Sequence, residues 1–481
     1  MMMFEPKRIH PVGMILSFLK IIKSYILPVI LFFFFGNNEF NLYFIIGASC
    51  LFVIIVVTSI LDWWKFTYWI EDGELRIKHG LFIKKKRYIP IERIQSINTT
   101  AGIIQQIFQL VKVQIETAGG GLEAEAVLTA IKKQEADRIQ NAIAMHKRDV
   151  SKQIENQDVD QNEEKPQLPT FKMEPKDLFV AASTSSGIGV IISAIAAFFS
   201  QFDEFIPYED LLDRFEILTN ASFTLYAVLV FIAFFIAWIL SIIGVLLKYA
   251  YFTVIKAENE LRISSGIFEK RQVSIPISRI QAIRIVQNPL RQLLGYATVY
   301  IESAGGSAGD EGASTILFPV VPKKAISSLL SQYLPLFENS EKMQRLPKRS
   351  IQRYMFRKII PALIICIPVS YFLAPWGFLS LILIPISAYW GYFSYKDAGW
   401  NIKGNQIQLG FRIISKTTVL IHRNRLQSFK SKTSYFQRRK SLQTFEVWIK
   451  SGIIGRHFTI KDLEENDLSQ LGNWYSYSRE K

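Results

Sequence analysis

The chain has 481 residues, a formal net charge of +15 at pH 7 and a hydrophobic content of 49%, while only 20% of its residues are charged. This apolar content exceeds that of ordinary soluble domains and therefore excludes a simple water-soluble domain. The two cysteines, Cys50 and Cys366, lie inside apolar stretches, so we interpret them as buried hydrophobic residues without a redox or metal-binding role.

Six apolar segments are predicted to cross a membrane as three hairpins, because one span needs about 20 apolar residues. No small-x-small cleavage pattern follows the first segment, so we interpret it as a span and not as a cleaved signal peptide. The last two segments are the shortest, and their linker, Ala374 to Gly377, is either a tight outer turn or a re-entrant kink. The six predicted spans are residues 14–35, 42–61, 178–199, 223–247, 359–373 and 377–392.

The charges around these segments predict their orientation. The loops that close the three hairpins together hold seven acidic residues against one base, Arg214. The second helix of each hairpin ends in aromatic residues and a lysine, as in Trp63-Trp64-Lys65. Because cytoplasmic loops carry the excess of Lys and Arg, and aromatic residues lie at membrane interfaces, the N terminus and the segments after the hairpins are predicted to be cytoplasmic.

The segment after each hairpin is a repeated unit. Leu75 to Gly120 recurs 186 residues later without a gap, so that Gly80 matches Gly266. A looser third copy matches Gly410 at an offset of 144 residues and Arg425 at 146, which indicates a two-residue insertion. A period of this length indicates a repeated domain and not a solenoid. The predicted organisation is hairpins at 14–61, 178–247 and 359–392, domains at 65–145, 248–335 and 393–478, and linkers at 146–177 and 336–358.

Alternating apolar and polar residues predict antiparallel strands within each copy. Val111, Val113 and Ile115, for example, alternate with polar residues, and turn residues such as Asp72-Gly73 separate the strands. Roughly seven short strands and a closing helix are the outline of a pleckstrin-homology-like (PH-like) β-barrel. The fold class is therefore an integral membrane protein with α-helical hairpins and β domains. The closing helices are predicted at Ile131–Ile143, Pro322–Tyr333 and Leu463–Tyr475.

The recurring motifs resemble those of the bacterial PH-like, membrane-flanked-domain family in a three-copy form. They are Leu-Arg-Ile, Gly-Ile/Leu-Phe, Ile-Pro-Ile, Arg-Ile-Gln and Glu-Thr/Ser-Ala-Gly-Gly. The resemblance implies a bacterial cell-membrane protein without catalytic residues, linked to envelope stress or to tolerance of membrane-active peptides. The third copy departs from the pattern with Leu420-Ile421-His422 in place of Ile-Pro-Ile and Lys450-Ser451-Gly452 in place of Ala-Gly-Gly.

Most of the positive charge lies in the third copy. Residues 393–461 contain 14 bases and two acids, a balance of +12, whereas the matching parts of the first two copies each come to +2. We weigh two interpretations: these bases bind the anionic lipid leaflet, or they only fix the topology of the membrane segments. The candidate lipid-binding or partner-binding residues are Arg423, Arg425, Lys430, Lys432, Arg438, Arg439 and Lys440.

Two further groups of polar residues are candidates. The run Lys84, Lys85, Lys86 and Arg87 is either a solvated turn or a second lipid contact. The repeated triplet Arg-Ile/Leu-Gln either lines a ligand groove or, as we favour, has a structural role, with the central residue buried in a strand and its two neighbours on the opposite face. The triplet residues are Arg93 and Gln95, Arg279 and Gln281, and Arg425 and Gln427.

No motif indicates an enzyme, a cofactor or a metal site. The glycine runs lack a following Gly-Lys-Ser/Thr, and the five histidines do not have metal-ligand spacing. No RNA-stacking motif accompanies the bases, so nucleic acid is not an expected partner. We therefore predict a non-catalytic scaffold that binds lipid surfaces, protein partners or a smaller PH-like membrane protein. The rival hypothesis is a transporter or a protein that handles lipids or peptides, although the spans hold almost no ionisable residues at mid-bilayer depth.

Overall fold

The computed structural model describes residues 5–35, 42–80, 83–117, 125–154, 168–185, 223–304, 314–340, 342–452 and 455–476. They fall into two compact units. The first comprises residues 1–120, 124–254 and 262–274, and the second comprises residues 121–123, 255–261 and 275–481. The boundary between the units therefore falls inside the second repeat and not between repeats.

The first unit contains the first repeat and the beginning of the second. Its elements are β1 (Lys7–Arg8), α1 (Val12–Phe35), α2 (Leu42–Lys65), β2 (Thr67–Glu71), β3 (Glu74–His79), β4 (Lys85–Pro90), β5 (Ile94–Ala101), α3 (Ile103–Ile107), β6 (Leu110–Thr117), β7 (Ala126–Lys132), α4 (Lys133–Ile154), β8 (Thr170–Lys172), α5 (Pro175–Ser183), α6 (Phe223–Tyr249), β9 (Thr253–Lys256), β10 (Glu260–Ser265) and β11 (Lys270–Pro276). Strands β9, β10 and β11 of the second repeat each also have residues in the second unit.

Two sheets are built from these strands. One has the order β1-β2-β3-β4, and the other has the order β7-β6-β5-β11-β10-β9-β8. The turn between β2 and β3 is the predicted Asp72-Gly73 pair, whose φ angles of 54° and 73° suit a two-residue hairpin turn. Strand β5 of the first repeat pairs antiparallel with β11 of the second repeat, so that the second sheet runs from one repeat into the next.

The second unit contains the rest of the second repeat and the whole third repeat. Its elements are β12 (Ile280–Gln287), α7 (Pro289–Leu294), β13 (Tyr296–Ser303), β14 (Ser314–Pro322), α8 (Ile326–Tyr333), β15 (Gln344–Arg345), α9 (Ile351–Phe372), α10 (Leu383–Asp397), β16 (Gly399–Lys403), β17 (Gln406–Arg412), β18 (Lys416–His422), β19 (Leu426–Lys432), α11 (Tyr435–Arg438), β20 (Leu442–Ile449), β21 (Arg456–Glu464) and α12 (Glu465–Tyr475).

The same continuity joins the second repeat to the third. The sheet order β14-β13-β12-β18-β17-β16-β15 combines strands of both repeats, and a separate sheet has the order β19-β20-β21. The hydrophobic core of the third repeat, with the buried Trp400 and Phe445, also includes Ala282 of the second repeat. Burial of apolar side chains contributes about 25 cal/mol per Å² of surface, so this shared core binds the two repeats together.

Most predicted elements are present among the described residues. Helices α1, α2 and α6 cover predicted spans, and α4, α8 and α12 are the predicted closing helices. Three helices of the described chain are long and apolar enough to cross a membrane, at Phe231–Tyr249, Lys348–Phe372 and Gly377–Asp397. The span predicted from residue 377 begins as a 3-10 helix, Trp376–Ile382, and continues as α10, which packs against α9.

The predicted closed β-barrel does not form in the described part of the chain, where all four sheets have two free ends. Instead, the strands of one repeat divide between two sheets, and one of these sheets pairs with the next repeat. Several predictions concern residues outside the described ranges: the hairpin loops at 36–41 and 200–222, the span at 178–199 beyond residue 185, and the linker at 155–167.

Candidate membrane-surface site

Every repeat places a short helix at the same point, directly after the strands β5, β12 and β19. These helices are α3, α7 and α11, and Ile103 of the first matches Pro289 of the second and Tyr435 of the third. Capping side chains fix their starts: Asn288 Oδ1 accepts a hydrogen bond from the Arg291 N–H at 2.7 Å, and Ser434 forms a capping box with Gln437.

The first two short helices expose large apolar side chains. Ile107 is 71% exposed in α3, and Leu293 is 85% exposed in α7. An exposed apolar patch commonly marks a surface that contacts a partner or a membrane. The full exposed apolar set is Ile103, Ile107 and Phe108 in the first repeat, and Leu290, Leu293 and Leu294 in the second.

In the first unit, α3 lies beside the end of the apolar helix α6. Gln106 of α3 donates hydrogen bonds from Nε2 to the carbonyls of Ile267 and Phe268, at 2.8 and 2.9 Å, in the turn between β10 and β11. The Ile267 N–H in turn donates to the carbonyl of Leu247 in the last turns of α6, at 3.1 Å. The exposed residues of α3 therefore lie close to the interfacial end of a membrane-spanning helix.

In the second unit, α7 has the equivalent neighbours. Gln292 of α7 accepts a hydrogen bond from Arg412, the last residue of β17 before the turn to β18. The Arg412 guanidinium lies 5.5 Å from the centre of the Trp390 ring on α10, and Trp390 Nε1 donates to the carbonyl of Ile413 at 3.1 Å. Tryptophan is enriched at membrane interfaces, so α7 and the exposed Ile413 and Ile414 lie near the interfacial end of α10.

The third short helix has basic residues where the first two are apolar. Arg438, Arg439 and Lys440 match Gln-Ile-Phe in the first repeat and Gln-Leu-Leu in the second, and all three are exposed. Tyr435 and Phe436, at the start of the helix, are 64% and 67% exposed. The Arg439 guanidinium lies over the Tyr435 ring at 4.8 Å and donates to its hydroxyl at 2.7 Å. This combination of bases and aromatic residues suits the headgroup region of a bilayer.

A buried carboxylate ties α11 to the start of the apolar helix α9. Asp462 is fully buried and accepts a hydrogen bond from Gln437 Nε2 of α11 at 2.9 Å. It also pairs with Arg353 at 2.9 Å and Arg357 at 2.6 Å, both in the first two turns of α9. Arg349, just before α9, donates to the carbonyl of Ser441 at 3.4 Å. The basic end of α11 therefore lies beside the first two turns of α9.

The other candidate bases lie outside α11: Lys430 and Lys432 are in β19, and Arg423 and Arg425 precede it. Lys432 donates to the buried Glu446 at 2.5 Å, and this hydrogen bond is the main cause that lowers the pKa of Glu446. Arg423 and Arg425 lie in a 3-10 turn at the opposite end of β19, roughly 20 Å away at 3.3 Å per residue. The Arg423 N–H donates to the carbonyl of Asn405, beside the turn between β16 and β17. The predicted basic residues therefore do not form one surface, because one group lies before β19 and the other lies in α11.

The Arg-Ile/Leu-Gln triplets begin strands. Arg93, Arg279 and Arg425 each end a 3-10 turn, and the next residue starts β5, β12 or β19. The expectation that Arg and Gln share one strand face is therefore wrong for the arginines, which precede the strand. The central residues Ile94 and Ile280 are buried, in line with the structural interpretation. Gln281 donates to the carbonyl of Arg279 at 3.0 Å, Gln427 is exposed, and Gln95 is in β5.

The predicted second contact, Lys84 to Arg87, is at the start of β4. All four side chains are exposed, and Arg87 donates to the carbonyl of Glu125. The neighbouring His79 ring lies 6.0 Å from the ring of Phe66, which directly follows α2. Burial lowers the pKa of His79, and the nearby Arg87 lowers it further. The run is therefore close to the end of the predicted second span.

A buried carboxylate joins the second repeat to the third, and no local sequence signal indicates it. Glu302 of β13 is fully buried and accepts hydrogen bonds from Arg284 of β12 at 2.8 Å and from Arg456 of β21 at 2.8 and 2.9 Å. Burial alone would raise the pKa of Glu302, but the guanidiniums of Arg456 and Arg284 outweigh it and hold the pKa below its ordinary value. The motif Glu-Ser-Ala-Gly-Gly was visible in the sequence, but the partner from the third repeat was not.

No group of metal-ligating side chains occurs among the described residues. The bacterial PH domain family matches the chain three times, at residues 22–147, 206–336 and 359–479. The chain is 47% identical over 493 aligned positions to UPF0699 transmembrane protein YdbT of Bacillus subtilis (strain 168), covering 99% of both chains. It is also 23% identical over 131 residues to UPF0699 transmembrane protein YdbS of the same organism, covering 21% of this chain and 80% of YdbS. The chain therefore belongs to the bacterial PH domain family, as a membrane protein with the three-copy architecture of the YdbT type.

Proposed function

We propose that this protein is a non-catalytic membrane scaffold whose PH-like domains rest on the cytoplasmic leaflet, where the third domain binds anionic lipid headgroups through α11. The observation that carries the proposal is the contact of α11 with α9 through Asp462, which holds three exposed bases beside a membrane-spanning helix. Each Lys or Arg near an anionic leaflet contributes about 1 kcal/mol, so three of them contribute roughly 3 kcal/mol.

The short helices of the other two repeats support the same orientation. The matching surfaces of α3 and α7 are apolar and lie beside the ends of α6 and α10. Apolar side chains at this depth enter the boundary between headgroups and acyl chains, while bases interact with the headgroup charges. In the proposed arrangement, two repeats make apolar contacts with the leaflet and the third makes an electrostatic contact.

The lipid contact is tested by neutralising α11 in the full-length chain. A probe that reports polarity is attached at Phe436→Cys, in a chain with Cys50→Ala and Cys366→Ser, after reconstitution into vesicles. With anionic lipid at low salt we expect the probe to be shielded from aqueous iodide. The triple variant Arg438→Gln, Arg439→Gln, Lys440→Gln should lower the equilibrium constant for binding of α11 to the leaflet about 100-fold, and the probe should then be less shielded. High salt should reduce the shielding in the parent chain.

The double variant Arg423→Gln, Arg425→Gln is the matched control, because it removes bases from the distal end of β19. It should leave the shielding unchanged. Equal shielding of the parent in neutral and anionic vesicles would overturn the lipid proposal, as would an equal loss in the control and in the triple variant. In that case the charge of the third repeat would serve only to fix topology.

In the cell, we propose that the scaffold supports tolerance of membrane-active peptides, because domains that contact the membrane are placed to respond when such peptides disturb it. A strain lacking the protein should be inhibited by a lower concentration of a cationic amphipathic peptide than its parent. Complementation with the parent chain should restore tolerance, and complementation with the α11 triple variant should not. Unchanged sensitivity of the deletion strain would count against this role.

A further inference from the structure

The exposed edge of β4 has the geometry of a vacant junction between repeats. At the first junction, the matching strand β11 pairs with β5 through Lys270 to Val273. At the second junction, β18 pairs with β12 from Lys416 to Ile421. In each case the strand at the β4 position of one repeat pairs with the strand at the β5 position of the preceding repeat. Among the described residues, no strand pairs with the outer edge of β4 in the first repeat.

The burial of the matching residues shows the difference. Residues 85–88 of β4 are all exposed, whereas the matching residues 417–420 of β18 are all buried. Strand β4 is the last strand of the sheet β1-β2-β3-β4 among the described residues. An exposed edge strand presents backbone donors and acceptors that can pair with another chain.

The backbone groups available on this edge can be named. Glu71 and Glu74 flank a two-residue turn and pair with each other, which fixes the alternation of hydrogen bonds through β3. It follows that Lys85 and Arg87 bond towards β3, while the N–H and carbonyl groups of Lys86 and Tyr88 point away from it. These two residues match Gln272 and Ser274 of β11, at the first junction.

The charge of the incoming strand decides which protein can pair with β4. A second copy of this chain would offer the β19 edge, which carries Lys430 and Lys432 and continues into the basic α11. Like charges on paired strands are destabilising, and lysines on an edge discourage unselective pairing. A copy-to-copy array is therefore disfavoured. A PH-like domain from another chain, with an uncharged or acidic strand at the β5 position, meets no such repulsion.

We propose that the β4 edge binds a single-copy PH-like membrane protein of the YdbS kind, whose strand at the β5 position extends the sheet β1-β2-β3-β4. YdbS aligns to this chain over 131 residues, which is about one repeat. The docked domain would add a fourth unit to the array by the same antiparallel pairing that joins the three internal repeats. This proposal does not depend on lipid binding by α11.

The test uses the full-length chain and YdbS from Bacillus subtilis, co-reconstituted in lipid nanodiscs, with association measured by energy transfer between labels on the two proteins. The variant Lys86→Pro removes one outward N–H and places a ring against the incoming strand, while the bonds of Lys85 and Arg87 to β3 remain. We expect it to weaken association at least about tenfold. Lys86→Gln retains the backbone donor and removes the same charge, so it should bind within about threefold of the parent.

The pair of variants separates edge pairing from simple charge attraction and from misfolding. Both variants should keep the parent's thermal unfolding midpoint, because edge positions with outward N–H groups tolerate proline. Association of Lys86→Pro with the parent's affinity would overturn the proposal, as would the absence of any association between the parent chain and YdbS. Equal weakening by the two variants would also overturn it, since charge alone would then explain the binding.

Discussion

Replacing Asp462 by asparagine is expected to destabilise the second unit by about 3 kcal/mol, since a buried pair that loses one partner leaves the other charge uncompensated. The carboxylate is fully buried and pairs with Arg353 and Arg357 of α9. Asparagine retains the size of the side chain and tolerates the φ of 63° at this position, so the change is mainly one of charge. Thermal unfolding of the purified protein in detergent, followed by tryptophan fluorescence, should show a midpoint roughly 5–10 °C lower.

The matched control is Glu464→Gln, two residues further along the chain. Glu464 pairs with Arg349 at 3.0 Å, but both side chains are at least 40% exposed, so the pair is screened by solvent. Its loss should cost less than about 1 kcal/mol. A midpoint for Asp462→Asn within the error of the control would contradict the claim that this carboxylate holds α11 and α9 together.

Glu302→Gln is expected to loosen the contact between the second and third repeats, with a similar cost of about 3 kcal/mol. The guanidiniums of Arg284 and Arg456 would then face each other's charge without a carboxylate between them. Since Arg456 is in β21 and Arg284 is in β12, the change weakens a contact between two sheets, while the pairing of β12 with β18 remains. Limited proteolysis should therefore cleave the third repeat faster in the variant than in the parent chain.

Glu116→Gln in the first repeat is the control for this change, because Glu116 occupies the matching position. Two of its hydrogen bonds come from neutral donors, Ser96 at 2.6 Å and Asn98 at 3.3 Å. The expected cost is about 1 kcal/mol, as for an ordinary hydrogen bond. Cleavage rates that are equal in the two variants would show that Arg456 does not join the repeats.

The pH dependence of the parent follows from the same carboxylate. The folded-state pKa of Glu302 is depressed, so its contribution to stability is complete above the pKa of the unfolded chain. The contribution is then lost as pH falls through that value towards the folded-state pKa. Proteolysis of the third repeat should therefore accelerate in the parent as pH falls below 4.5, the ordinary pKa of a glutamate. In Glu302→Gln, cleavage is already fast at neutral pH, and the further acceleration by acid should be smaller.

The repeats, most strands and the closing helices were predictable from the sequence, because each depends on local periodicity and turn residues. The turn at Asp72-Gly73 and the helix α12 are examples. The sheets shared between repeats were not predictable, since the pairing of β5 with β11 joins residues that are about 170 positions apart and has no local signal. The expected barrel is not closed among the described residues, where the edge strand β5 pairs with β11 of the next repeat.

The candidate site was predicted in part. The run Arg438-Arg439-Lys440 was visible as a cluster because its members are adjacent in the chain. Arg423 and Arg425 were grouped with it by proximity in sequence, but the extended strand β19 carries them to the other end of the domain. Asp462 had no signal at all, because a single aspartate in a strand resembles any solvated residue until its arginine partners on α9 are known.

The pairing of successive repeats has a consequence for how the protein can be divided. The stretch of sequence that was duplicated begins with a hairpin, whereas the main part of the second unit begins half a repeat later, at residue 275 near the end of β11. A fragment that starts at residue 393 would leave the buried strand β18 open to solvent and would lack Ala282 from its core. A fragment that starts near residue 275 would keep both. Gene fusions, truncations and chimaeras of this protein should therefore be joined in the middle of a repeat, out of phase with the boundaries that the sequence displays.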